Sequence, residues 1–153
     1  MLTPLSAVTR GMSGEVLLLL GCSMLVATCA LLMSLLPTAF SNSLSALPGW
    51  QLYAFILFVL PMLSMVGIHP MVLFSSAFPL LEPFMTHGVA DYLVWICLFI
   101  AAQLLSPVSI NAIFAASSLH VSPMDTSFRM HTRYVLLFNL FALIYLSYVV
   151  QPL

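Results

Sequence analysis

The chain has 153 residues, of which 63% are hydrophobic and 5% charged, with a mean hydropathy of +1.18 and a formal net charge of −1. Soluble domains place roughly a quarter of their residues as charges, so this composition excludes an ordinary soluble domain and belongs to the membrane class. Its only basic side chains besides histidine are Arg10, Arg129 and Arg133, which leaves no basic patch to neutralise phosphates and excludes nucleic acid as a partner.

The first predicted element runs from Val16 to Leu36, before Pro37. About 20 helical residues are needed to cross about 30 Å of hydrocarbon, and this run supplies them. Arg10 and Glu15 precede it, and it is longer than the apolar region of a cleaved signal peptide, so it reads as a spanning helix. Cys22, Cys29 and Cys97 all lie in apolar runs with no CxxC or Cys/His spacing, and read as small buried hydrophobes. Residues Thr38 to Pro48 are richer in Ser and Asn and read as an interfacial connection, followed by Trp50 and Tyr53 at aromatic-belt positions.

From Gly49 to Phe84 the chain is apolar but punctuated by Pro61, by Gly67-Ile68-His69-Pro70, by Pro79 and by Pro83. It reads either as two full crossings that meet at Gly67 to Pro70 or as a re-entrant helical hairpin with those residues at its tip. The stretch Met71 to Glu82, about 12 residues, is short for a crossing, which favours the hairpin. A broken helix follows: Asp91 to Leu105, an interruption at Ser106-Pro107-Val108-Ser109, and a continuation over Ile110 to Ser118. His120 to Arg133 reads as a polar loop, with Asp125 and Arg129 at helical spacing on a solvated face. Tyr134 to Val150 is the last predicted span. The expected fold is therefore all-α, a polytopic transmembrane helical bundle in one domain over 1–153. The three arginines place the N-terminal sides of the first and last spans in the cytoplasm.

The two interruptions carry the chemistry. A lipid-facing helix does not break, because each free backbone group costs several kcal/mol in hydrocarbon, so a break faces protein, water, an ion or a substrate. Pro107 removes an N–H and frees the carbonyl near Gln103, with Ser106, Ser109 and Asn111 beside it. Neutral oxygens of this kind suit a small cation such as Na⁺, while the N-terminus of the resumed half-helix favours an anion. Candidate substrate contacts are Ser106, Ser109 and Asn111; candidate ion contacts are Gly67, His69, Pro70, Ser106 and Pro107. The alternative is a pair of proline kinks in a passive bundle, with the polar side chains bonded to neighbouring helices. Glu82 and Asp91 read as solvated interfacial carboxylates. No GxSxG, HExxH or paired-carboxylate arrangement is present and the ten methionines are scattered, so neither enzyme chemistry nor a resident metal or organic cofactor is expected.

The stretches "GIHPMVLFSSAFPLLEPFMTHGV" and "YLVWICLFIAAQLLSPVSINAIFAASSLHVSP", followed by a closing hydrophobic helix, resemble the C-terminal half of the large membrane subunit of TRAP-type (tripartite ATP-independent periplasmic) transporters, within the ion transporter superfamily. Pro79-Leu80-Leu81-Glu82-Pro83 and Leu104 to Asn111 carry the likeness, over roughly residues 50 to 150. His69 stands where that family has Asp, and Ser109 where it has Gly. The resemblance implies a bacterial inner-membrane protein with Na⁺ at hairpin tips and helix breaks and a small organic anion as substrate. It also implies two inverted repeats, of which this chain holds one. A second membrane subunit, the rest of a longer chain, or a second copy in the opposite orientation then supplies the other.

Overall fold

The computed structural model describes residues 4–35, 42, 44–85 and 87–150, which are helical with no strand among them. Helix α1 is Pro4–Leu35, α2 is Gly49–Met65, α3 is Pro70–Leu81 with a tightened turn at Glu82–Phe84, α4 is Val89–Leu105, α5 is Ile110–Leu119 and α6 is Pro123–Tyr148. Two stretches are long and apolar enough to cross a membrane, Pro123–Tyr148 and Val89–Leu119, and the turn between α4 and α5 divides the second. Val16–Leu32 and Gly49–Met65 are shorter apolar helices.

Helix α4 is the centre. Its residues Ala90, Val94, Trp95, Leu98, Ala101, Ala102 and Leu105 are buried at three- and four-residue spacing, the periodicity of one helix face. On α2 the matching face is Tyr53, Ile56, Leu57 and Leu60, and these pack with Leu73 and Ala77 of α3 and Leu146 of α6 into one core. Trp95 anchors the α3 side, its ring meeting Phe78 and Phe74 at 5.2 and 5.8 Å between centroids, both edge-on. The fully buried alanines at 90, 101 and 102 let neighbouring backbones approach closely. Helix α1 packs on α3, and its outer apolar side chains, such as Leu17, Met24 and Leu31, are exposed.

Contacts at the two ends fix the directions. The N-terminal part of α2 (Tyr53) meets the first turn of α4 (Asp91), and the last residue of α2 (Met65) packs on the cluster that holds Leu105, so α2 and α4 are parallel. Val135, early in α6, joins the Leu105 cluster, while Leu143 to Tyr148, late in α6, lie beside Trp50 and His87, so α6 is antiparallel to both. The α2–α3 pair is thus a helical hairpin with its tip at the same end as the α4–α5 break.

Two helix starts differ from expectation. Helix α1 starts at Pro4 rather than Val16, so Arg10 and Glu15 lie within it; hydropathy marks the apolar part of a helix and not its polar extension. The expected end at Leu36 falls outside the described residues. The polar stretch read as a loop over 120–133 is mostly helix: α6 begins at Pro123, not Tyr134. Ser122 explains this, since its hydroxyl accepts from the Asp125 N–H at 3.0 Å and donates to the Asp125 carboxylate at 2.8 Å. With Pro123 at the first helical position this is a helix start that sequence reading passed over. Asp125 and Arg129 do face one another, 3.7 Å apart and exposed.

Helix α2 runs through Pro61 without stopping. A proline has no N–H to give the carbonyl four residues back, which here belongs to Leu57. That carbonyl accepts instead from the side-chain amide of Asn139 on α6, 82 residues away. Widened helical turns at Phe55–Val59, Thr126–His131 and Leu146–Val150 accompany these adjustments.

Candidate functional site

At the hairpin tip, α2 tightens in its last turn, with the N–H groups of Val66 and Gly67 donating to the carbonyls of Leu63 and Ser64 at 3.3 and 3.1 Å. Gly67 then takes φ +94°, a conformation that side-chain-bearing residues rarely adopt, and an added Cβ would meet no neighbour. Its requirement is therefore backbone shape rather than space. His69 is extended and caps α3, its Nδ1 accepting from the Met71 N–H at 3.2 Å, and buried Pro70 occupies the first helical position. The bond to Nδ1 requires that nitrogen to be unprotonated.

The second interruption has the same construction. Helix α4 closes with Ser106 N–H on the Ala102 carbonyl at 3.0 Å, Ser106 turns extended, and Ser109 N–H returns to the Ser106 carbonyl at 3.2 Å. Ser109 is the cap of α5, its Oγ accepting from Ala112 N–H at 3.2 Å. Pro107 has no N–H for the Gln103 carbonyl one turn back. Gln103 and Asn111 border a small surface hollow of about 390 Å³ whose remaining walls are Phe99, Ile100, Leu104 and Ile110.

The five candidate ion contacts and three candidate substrate contacts therefore lie at one end of the fold. Ser106 and Ser109 are buried, whereas Asn111 is exposed, so the three substrate candidates do not share one surface. The hydroxyl of Ser109 and the imidazole of His69 are turned onto local backbone as caps, and the Ser106 hydroxyl has no partner among the described residues. Ser109→Ala is expected to destabilise the fold by about 1 kcal/mol through loss of the cap, measurable as a fall of about 2–4 °C in melting temperature.

Other polar residues, outside the candidate contacts, tie the helices together. Asp91 is buried rather than solvated: its carboxylate accepts from the Tyr53 hydroxyl at 2.7 Å and from the backbone N–H of His87. Its place in the first turn of α4, just past Gly88, is a position where a carboxylate favours the helix N-terminus, a signal available in the sequence. Glu82 is exposed. Near this opposite end a hollow of about 550 Å³ is bordered by Trp50, His87, Ser147 and Tyr148. Among the described residues no three His, Cys, Asp or Glu side chains gather as a metal set.

Comparison with protein-family models, with curated proteins and with solved structures finds no match.

Proposed function

We propose that this chain is one half of a cation-coupled secondary transporter for small organic anions, seated in a bacterial inner membrane. The observation that carries the reading is the pairing of two interrupted helices at one end of the fold. Met65 before one interruption packs against the buried cluster of Ala101, Leu105 and Val135, and Leu105 directly precedes the other. In each, a capped half-helix restarts after an extended residue. Two such half-helix N-termini favour an anionic group, while the Gln103 carbonyl and the Ser106 hydroxyl offer neutral oxygens to Na⁺. Gly67, Pro70 and Pro107 contribute through backbone shape, and His69 and Ser109 through the caps that hold the two starts in place. A second membrane subunit or a second copy of the chain would complete the inverted pair.

A second reading, a non-transporting membrane scaffold or assembly subunit, is favoured by the polar ties. Asn139 and Asp91 bond across helices, which is what packing kinks in a passive bundle require.

Thiol accessibility separates the two. With Cys22, Cys29 and Cys97 replaced by alanine, His69→Cys and Asn111→Cys are exposed in membrane vesicles to a membrane-impermeant thiol reagent. The transporter reading expects both to react and sodium, but not choline, to slow both several-fold. Sodium-independent reaction, or none, overturns it in favour of the scaffold.

A further inference from the structure

Many of the serine and threonine hydroxyls in this fold satisfy themselves on their own helix. Ser23, Thr28, Ser76, Ser117, Thr126 and Thr132 each donate to a carbonyl three or four residues back, at 2.7 to 3.2 Å. This is how a polar side chain sits in an apolar helix without cost to its surroundings. Ser64, Ser106 and Ser127 break the pattern. Each is buried to 0% exposure, and the Oγ of each has no hydrogen-bond partner among the described residues; the half-buried Ser147, at the opposite end, is alike in this.

All three stand at the tip end. Ser64 directly precedes Met65, and Ser106 directly follows Leu105, residues of the same cluster. Ser127 lies in the widened turn Thr126–His131 at the start of α6, a turn that packs on both α4 and α5. In that turn the Nδ1 of His131, four residues on, is also enclosed and has no partner among the described residues. The Gln103 carbonyl, left without a helical donor by Pro107, belongs to the last turn of α4. The charged side chains nearest in sequence, Asp125 and Arg129, form an exposed pair with each other, so nothing charged faces the three hydroxyls from that turn.

A buried hydroxyl with nothing to bond is unfavourable, and in native proteins such groups are met by ordered water held by two to four polar partners. We propose that Ser64, Ser106 and Ser127 hold ordered water at the junction of α2, the α4–α5 turn and α6, forming a hydrated layer inside an otherwise apolar end of the fold. With Asp125 and Arg129 paired at the surface, a neutral guest is favoured over an ion. Only Ser106 is shared with the transport reading, where its hydroxyl is offered to Na⁺; Ser64 and Ser127 are not, and a scaffold accommodates the layer equally well.

The sign of a stability change tests it. Alanine fits each of the three positions, and at Ser64 and Ser127 it also favours the helix. Where water bonds the hydroxyl, Ser→Ala removes a bond; where the hydroxyl is dry, Ser→Ala removes an unpaired polar atom and relieves it. The detergent-purified full chain should therefore melt about 2–4 °C lower in each of S64A, S106A and S127A, equally in sodium and in choline buffer. Ser23→Ala, which loses an exposed bond on α1, is the control and should shift less. A rise or no change in the three variants overturns the proposal. A fall confined to sodium buffer also overturns it, because the guest is then an ion.

Discussion

Asp91→Ala is expected to destabilise the fold by about 3 kcal/mol, a fall of roughly 6–12 °C in melting temperature, although this residue is in none of the candidate contacts. The reason is local. The carboxylate takes one hydrogen bond from the Tyr53 hydroxyl on α2 and another from the His87 backbone ahead of α4. Charge-assisted bonds of this kind contribute about 1.5–3 kcal/mol each, and the carboxylate also sits at the positive end of its helix. Truncation takes from the N-terminal parts of two parallel helices the acceptor that the Tyr53 hydroxyl and the His87 N–H share. Asp91→Asn keeps one acceptor oxygen but turns an amide N–H toward a donor, so it should fall between Ala and the wild type.

Tyr53→Phe removes only the hydroxyl and should cost about 1.5 kcal/mol. The double variant Tyr53→Phe with Asp91→Ala is the decisive measurement: a coupling of at least about 1 kcal/mol is expected of two side chains in direct contact. Additivity to within about 0.5 kcal/mol would show that the two act separately, and the α2–α4 tie would then be packing alone.

The parts of this fold that were legible in the sequence are those governed by local chemistry. Proline and glycine placed both interruptions, because Pro107 cannot donate and Gly67 can adopt φ +94° whatever surrounds them. Apolar runs located the helices but not their ends, since hydropathy ignores the polar turns where α1 and α6 begin. The Ser122-Pro123-Met124-Asp125 start was readable by its cap chemistry and was lost under the polarity of its neighbours. The candidate contacts were legible as positions only. That Ser109 and His69 turn onto backbone, that Asn111 faces outward and that Asp91 turns inward depend on what packs beside them. No single-chain periodicity carries that information.

One long-range contact could nevertheless have been anticipated, and it gives the sharpest test of how these helices are held. Pro61 leaves the Leu57 carbonyl without its helical donor, and a buried carbonyl in that state needs a donor from elsewhere. Asn139 is the one side-chain amide between Thr132 and Tyr145, it is 1% exposed, and its nitrogen donates to that carbonyl. Asn139→Leu, similar in size, should destabilise the fold by about 2 kcal/mol: the orphaned carbonyl is the larger effect, and relief of the unpartnered Asn139 Oδ1 offsets part of it. Pro61→Ala supplies the missing N–H. Alone it should change stability little, because its new bond competes with the amide for one carbonyl. In the Asn139→Leu background it should restore about 1 kcal/mol or more, since the carbonyl then has no other donor. Equilibrium unfolding of the four proteins in one detergent measures both effects. Rescue would establish that the proline and the asparagine are two halves of one device, a helix kept continuous by a donor from across the fold. If Pro61→Ala is equally neutral in both backgrounds, the carbonyl is satisfied some other way and Asn139 holds α6 by packing only.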